Sequence, residues 1–262
     1  MHTATHHRPL TGRIALVTGA ARGIGAAIAH TLGIQGATVV VNYVHHRERA
    51  EEVVEMIRSS GSSAVAAQGD VTDIADARRV LRAAEELGGP DILVCNAIGP
   101  TADVRRRASV DSPEAIATIQ RRVAAQLACT LNCCHLAVPA MRARGGGSIV
   151  LIGSAGARSG GAPGLADIAI AKAAQDTLGL ALARELGPDG IRVNTVAPGL
   201  VATDANAGEH QQQWVEAAGA ATPLRRISRP EDIAATVAML ASDAAAQITG
   251  ARIDVDGGRS LG

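Results

Sequence analysis

Short apolar runs alternate along the 262-residue chain with longer stretches whose apolar positions recur at helical spacing. Ile14–Val17, Thr38–Asn42, Ala64–Gln68, Ile92–Cys95, Ser148–Ile152, Arg192–Ala197 and Arg252–Val255 read as strands, and Ile92–Cys95 is apolar throughout, as a strand covered on both faces is. Ile24–Gln35, Arg47–Ser59, Ile74–Leu87, Pro113–Arg144, Ile168–Glu185 and Pro230–Ala241 read as helices. This alternation predicts βαβ units, and therefore an α/β fold with a Rossmann-type, doubly wound parallel sheet. No linker or internal repeat divides it, so residues 11–262 are expected as a single domain behind a polar, His-rich leader (1–10) expected to be disordered. Segment 204–222 breaks the rhythm: it is polar, rich in Ala and Gln, and carries Trp214. It reads either as a short substrate lid or as a solvated surface helix with its tryptophan packed on the body.

Composition narrows the class. Hydrophobic residues make up 47% of the chain, yet there is no Phe, one Tyr and one Trp, so the core must be built from Ala, Val, Leu and Ile. Lys+Arg and Asp+Glu balance at 25 each, which gives no global field toward nucleic acid or an anionic membrane. No apolar run is expected to reach the roughly 18–20 residues of a membrane span, and Met1–Pro9 lacks the apolar stretch of a signal peptide. A cytoplasmic protein is the expectation. Cys95, Cys129, Cys133 and Cys134 fit no disulfide or zinc spacing and are expected as buried thiols, with no metal site anywhere.

Two sequence features carry chemistry. The first is Thr18-Gly19-Ala20-Ala21-Arg22-Gly23-Ile24-Gly25, which follows the first strand and opens the first helix. Glycines there permit a tight turn and bring backbone N–H groups close to a pyrophosphate at a helix N-terminus. The second is Lys172, the single lysine of the chain; the other 24 cationic side chains of the Lys+Arg total are arginines. A lone lysine among arginines marks a place where a compact ammonium does what a planar guanidinium does not.

With Asp70-Val71, Cys95-Asn96-Ala97-Ile98, Ile149–Gly156, Pro198-Gly199 with Thr203, Arg229–Asp232 and Val255–Gly258 in order, the chain resembles the short-chain dehydrogenases/reductases, in their ketoacyl-reductase-like branch, from about Arg13 to Leu261. The resemblance implies a dinucleotide held by Gly19, Arg22, Gly23, Ile24 and Gly25, by Asn42, Tyr43 and His46 after the second strand, by Asp70, Val71, Asn96 and Ala97, and by Lys172, Pro198, Gly199, Val201 and Thr203. The second strand ends on Asn42 where an acidic residue would select a free ribose hydroxyl, and Arg22, His45, His46 and Arg47 are nearby, so NADPH/NADP+ is the expected cofactor. His45, His46 and Arg47 could equally be solvated residues of a helix start. Homodimers or homotetramers are implied as well, with Cys129, Leu131, Cys133 and Val138 as a possible interface.

The resemblance assigns Ser154 as the serine that polarises a carbonyl and Lys172 as the lysine, but Ile168 stands where the family carries its proton-donating tyrosine. Gln126 falls at the position of the family's helix asparagine. Asp167 is a conceivable substitute acid, though an exposed carboxyl is ionised at neutral pH. Ile98 and Ile168 make the crevice apolar, which suits a flat hydrophobic substrate. In these respects the chain is similar to the tyrosine-lacking ketoreductases of angucyclinone biosynthesis. The resemblance implies a hydrophobic polycyclic ketone whose neighbouring hydroxyl supplies the proton, with Ile98, Ser154, Ile168 and Trp214 at the substrate. Pro100, Thr101, Arg158 and Ser159 are loop candidates for further contacts. A non-catalytic NADP(H)-binding sensor or scaffold, and a dehydratase or isomerase using the same pocket, are the competing readings.

Overall fold

The computed structural model describes residues 8–99, 113–161, 164–203 and 211–261. Seven strands, β1 (Ile14–Val17), β2 (Thr38–Tyr43), β3 (Ala64–Gln68), β4 (Ile92–Cys95), β5 (Gly147–Ile152), β6 (Ile191–Pro198) and β7 (Arg252–Val255), form one sheet in the order β3-β2-β1-β4-β5-β6-β7. Every pairing is parallel. The order reverses between β1 and β4, which opens a crevice at their carboxyl ends.

Among the described residues the α-helices are α1 (Gly23–Ile34), α2 (Arg47–Ser59), α3 (Ile74–Glu85), α4 (Pro113–Ala143), α5 (Gly156–Ser159), α6 (Ala166–Leu186), α7 (Gln211–Ala220) and α8 (Pro230–Ala241). The period-two alternation of the strands divides the core. Ala15 and Val17 of β1 pack with α1, α2 and α8 on one face, through Ile28, Leu32, Val53, Ile57, Ile233 and Val237. Ile14 and Leu16 pack with α3, α4 and α6 on the other, through Val80, Leu81, Cys133, Met141 and Leu186. Small side chains let the layers approach closely: a Cβ on Gly33 of α1 would lie 2.6 Å from Ile57 Cγ2 of α2.

Several expectations are corrected. Residues 8–10 belong to the folded body. Leu10 is buried, and the Arg8 guanidinium donates to the carbonyls of Ile34 (2.9 Å), Gly33 (2.9 Å) and Gly61 (3.2 Å) and to Ser62 Oγ (2.7 Å). The rest of the expected leader, 1–7, lies outside the described residues, as do Pro100, Thr101 and 204–210 of the expected lid. Its remainder forms α7, on which Trp214 is 37% exposed. Glu114–Ala143 is, by length and composition, apolar enough to cross a bilayer, contrary to the reading of the sequence. Its Cys129, Cys133, Ala137 and Met141 are spent on the sheet, so the apolarity is that of a core helix. For the same reason Cys129, Cys133 and Val138 are buried within this chain and form no outer interface; Leu131 alone of that group is exposed.

At the opposite end of the sheet, Asp91 ties the start of β1 to the end of α4. Its buried carboxylate accepts from the Ile14 N–H (2.8 Å) and from Arg144 Nε and Nη2 (2.9 and 3.0 Å). Asp91→Ala removes all three bonds, leaving the buried Ile14 amide without its acceptor and the Arg144 guanidinium with its bond to Gly88 O (3.0 Å). It is expected to lower unfolding free energy by about 3 kcal/mol in chemical denaturation, and a loss of under about 1 kcal/mol would show the tie to be dispensable.

Candidate active site

The crevice is built on the turn after β1. Gly19 and Gly23 have φ of +62° and +56°, the left-handed region that favours glycine. A Cβ on Gly25 would collide with Gly19 O and with Asn96 Nδ2, which fixes a glycine there. The turn is held from beneath. Thr18 Oγ1 accepts from the Asn96 and Ala97 N–H groups (2.9 and 3.0 Å) and donates to Val94 O (3.2 Å). Asn96 Nδ2 donates to Thr18 O (2.9 Å) and Gly19 O (3.1 Å). Asn42 Oδ1 accepts from the Gly19 N–H (3.1 Å), while its Nδ2 donates to Ala67 O and Gly69 O (3.2 and 3.0 Å).

Above this frame, α1 begins with no side-chain cap and no acidic residue in its first turn, and its cap residue Arg22 is exposed. Uncapped amides at a helix N-terminus beside a glycine cradle fit a dinucleotide pyrophosphate. The β6 loop closes the other side: a Cβ on Gly23 would lie 3.8 Å from Thr203 Cγ2. Pro198 O accepts from the Ala155 N–H (2.8 Å), which ties the β6 loop to the Ser154 loop.

Ser154 leaves β5 half-buried, its Oγ accepting from the Gly156 N–H at 3.2 Å. Arg252 of β7 anchors it by donating from Nη2 to Ser154 O (2.9 Å), and Arg252 itself sits against Asp176 of α6 (3.4 Å) and Asp254 (2.8 Å). Burial raises the Asp176 carboxyl above its ordinary range, against the pull of Arg252 and Lys172. Lys172 is 5% exposed, and its Nζ donates to Ile152 O (2.6 Å) and Gln175 Oε1 (3.0 Å). Burial pushes this ammonium down to about 8, partly offset by the nearby Asp176 carboxyl. The unfolded chain therefore binds more protons between about pH 8 and the ordinary lysine value, so the stability cost of burying the charge is present below pH 8 and is relieved as pH rises through that window.

Ile168 lies half-buried in the first turn of α6, one turn before Lys172. Asp167 beside it is committed to Arg122 of α4 in a nearly buried ion pair (2.8 Å), so its carboxyl is engaged away from the place of a substitute acid. Gln126, also buried, points its Nε2 at Ala97 O (3.4 Å). Asn42, Tyr43 and Val201 are buried, the last two inside the core, so their side chains stand behind the crevice wall. Arg22, His46 and Ile98 are exposed at its rim, and Asp70 is partly engaged, its Oδ1 accepting from Thr72 N–H and Oγ1 (2.9 and 2.7 Å). The sequence reading missed Arg252, Gln175 and Thr130. Gln175 was within reach, since it shares a helix face with Lys172 three residues away; the other two needed the tertiary fold.

A family model described as enoyl-(acyl carrier protein) reductase matches residues 19–260. Versicolorin reductase 1 of Aspergillus parasiticus is 40% identical over 270 residues, covering 97% of this chain and 98% of that protein. The 3-oxoacyl-(acyl-carrier-protein) reductase of Staphylococcus aureus is 38% identical over 250 residues, covering 93% and 96%. Among solved structures, the promiscuous reductase LugOII, which catalyses keto-reduction at C1 during lugdunomycin biosynthesis, superposes with a TM-score of 0.84 at 31% identity, covering 97% of this chain and 100% of that one.

The commitment of the Asn42 amide generates a test. Asn42→Asp places a carboxylate against two buried carbonyls that have lost their donors. It is expected to cost about 2–4 kcal/mol in chemical denaturation. Unchanged stability together with a switch toward NADH would show instead that this side chain works at the cofactor ribose.

Proposed function

The chain belongs to the short-chain dehydrogenase/reductase family, and from that premise we propose an NADPH-dependent ketoreductase of aromatic polyketide biosynthesis. Its substrate is a polycyclic, angucyclinone-like ketone that supplies its own proton. The coarser class, an oxidoreductase acting on a carbonyl/alcohol pair, is common ground with the relatives above. The similarity to a versicolorin reductase and to a reductase of lugdunomycin biosynthesis supports a polyketide substrate.

The observation that carries the proton step lies on α6. Ile168 stands one turn before Lys172, where the family resemblance puts the phenol, and the adjacent carboxylate of Asp167 is locked on Arg122. A general acid contributes about 10²–10⁴-fold, roughly 3–5 kcal/mol of barrier, and on α6 the adjacent Asp167 is already paired with Arg122. A hydroxyl hydrogen-bonded beside the substrate carbonyl does so from the substrate's side.

The bound nicotinamide would supply the hydride, with the first-turn amides of α1, Arg22, Asp70 and the Pro198–Thr203 loop holding the dinucleotide. Ser154 Oγ–H would donate to the carbonyl oxygen, and Arg252 holds the backbone that aims it. Lys172 brings a compact ammonium to the same loop through Ile152 O. Ile98 and Ile168 keep the crevice apolar, which favours a flat aromatic substrate. Exposed Leu131 on α4 with Ile170 and Leu180 on α6 offers an apolar face for a second copy, consistent with a homo-oligomer.

Purified protein with NADPH and hydroxylated polycyclic ketones should consume nicotinamide absorbance. Ile168→Tyr should change turnover little, whereas methylation of the hydroxyl beside the carbonyl should abolish it. Full turnover of the methylated ketone would sink the substrate-assisted step. Tight NADPH binding without oxidation of any ketone would return the chain to the sensor reading. Arg22→Ala should weaken NADPH binding about tenfold while leaving NADH nearly unaffected, as loss of one exposed charge-assisted contact to a phosphate would; equal weakening of both would remove the support for NADPH.

A further inference from the structure

A polar seam runs between α6 and α4 that the mechanism above does not use. Lys172 Nζ donates to Gln175 Oε1 (3.0 Å), Gln175 Nε2 donates to Thr130 Oγ1 (3.4 Å), and Thr130 Oγ1 donates to Gln126 O (3.2 Å). Lys172 is 5% exposed, and Gln175 and Thr130 are 0% exposed. The direction of the seam is forced. An ammonium only donates, so Gln175 must turn its oxygen to Lys172. Its NH2 group then faces Thr130, whose oxygen must accept there and send its own proton one turn back along α4. A buried amide and hydroxyl cost stability unless paired, and alanine or leucine would fill these positions without that cost. The feature at the head of the seam is the chain's single lysine.

We propose that Gln175, braced on Thr130, is a positioning residue for Lys172 that fixes where the ammonium sits. The inference rests on reading Lys172 as part of the active site. Groups facing Nζ from the packed elements are Asp176 on α6, which Arg252 of β7 holds, Cys129 on α4 and Cys95 on β4. Burial raises the Cys129 thiol to about 11, and hydrogen bonding to Cys134 together with burial raises Cys95, so both are neutral at physiological pH. The direct partners of Nζ, Ile152 O and Gln175 Oε1, are neutral oxygens. They hold the ammonium in place without the carboxylate that would lock its proton.

The lone lysine makes the test direct. In the full chain labelled with 13C at the lysine ε-carbon, one side-chain signal reports this site. The wild-type titration midpoint is expected near 8. Gln175→Glu, nearly isosteric, should raise it by about one to three units, because an opposite charge favours the ammonium. Gln175→Met, which keeps the volume and removes the acceptor, should lower it by about one unit. Thr130→Val should lower it by less, since only the brace is lost. Midpoints unmoved in both folded Gln175 variants would overturn the proposal; should neither fold, an unmoved midpoint in Thr130→Val would do so. The titration needs no substrate. Absence of ketone turnover with midpoints that move sinks the ketoreductase reading alone, and turnover with unmoved midpoints sinks the positioning role alone.

Discussion

The turn after β1 is where the structure is most constrained, and the rest of the site is arranged around it. Thr18, Asn42 and Asn96 come from the ends of three neighbouring strand segments and spend their hydrogen bonds on one another's backbone and on the glycine turn. That network holds the turn at the point where strand order reverses, so the N-terminus of α1 opens into the crevice with its amides uncommitted. A parallel sheet leaves its strand carboxyl ends without a natural cap. Here polar side chains under the turn serve as that cap and keep the floor of the crevice rigid.

The chemical half of the site is anchored differently. Ser154 is fixed through backbone, by Arg252 at its carbonyl and by the Ala155–Pro198 bond behind it. Lys172 is fixed through side chains, between a strand carbonyl and a neutral amide. Ile168 precedes Lys172 by one turn on α6, at the position where the resemblance expects a phenol. In the proposed reaction the catalytic burden would shift to orientation: a carbonyl presented to Ser154 beside Ile168, with proximity and alignment supplying rate that acid catalysis does not.

Much of this was legible in the sequence because the period of apolar residues is local. Arg47–Ser59 and Pro230–Ala241 fall where helical spacing puts them, and Ile92–Cys95 where a doubly buried strand belongs. The glycine turn, Ser154 and Lys172 were legible through motif spacing. Commitments of side chains were not. Asn42 looked like a ligand contact because it ends β2, and only the tertiary fold shows its amide spent on β3 and the glycine turn. Cys129 and Cys133 share a helix face, but spacing cannot say whether that face meets a sheet or a second copy. Arg8 read as part of a tail because the five partners of its guanidinium lie 25 to 54 residues away.

The burial of Lys172 has a consequence for the exterior of the molecule. Since it is the single lysine and lies 5% exposed, the protein presents no lysine amine to its surroundings, and every other member of its Lys+Arg total is an arginine. Acylating and aldehyde-forming metabolites attack ε-amines readily and guanidinium hardly at all, because the latter stays protonated. An enzyme of the proposed activity would thereby meet reactive carbonyl compounds with arginine in place of lysine at its surface.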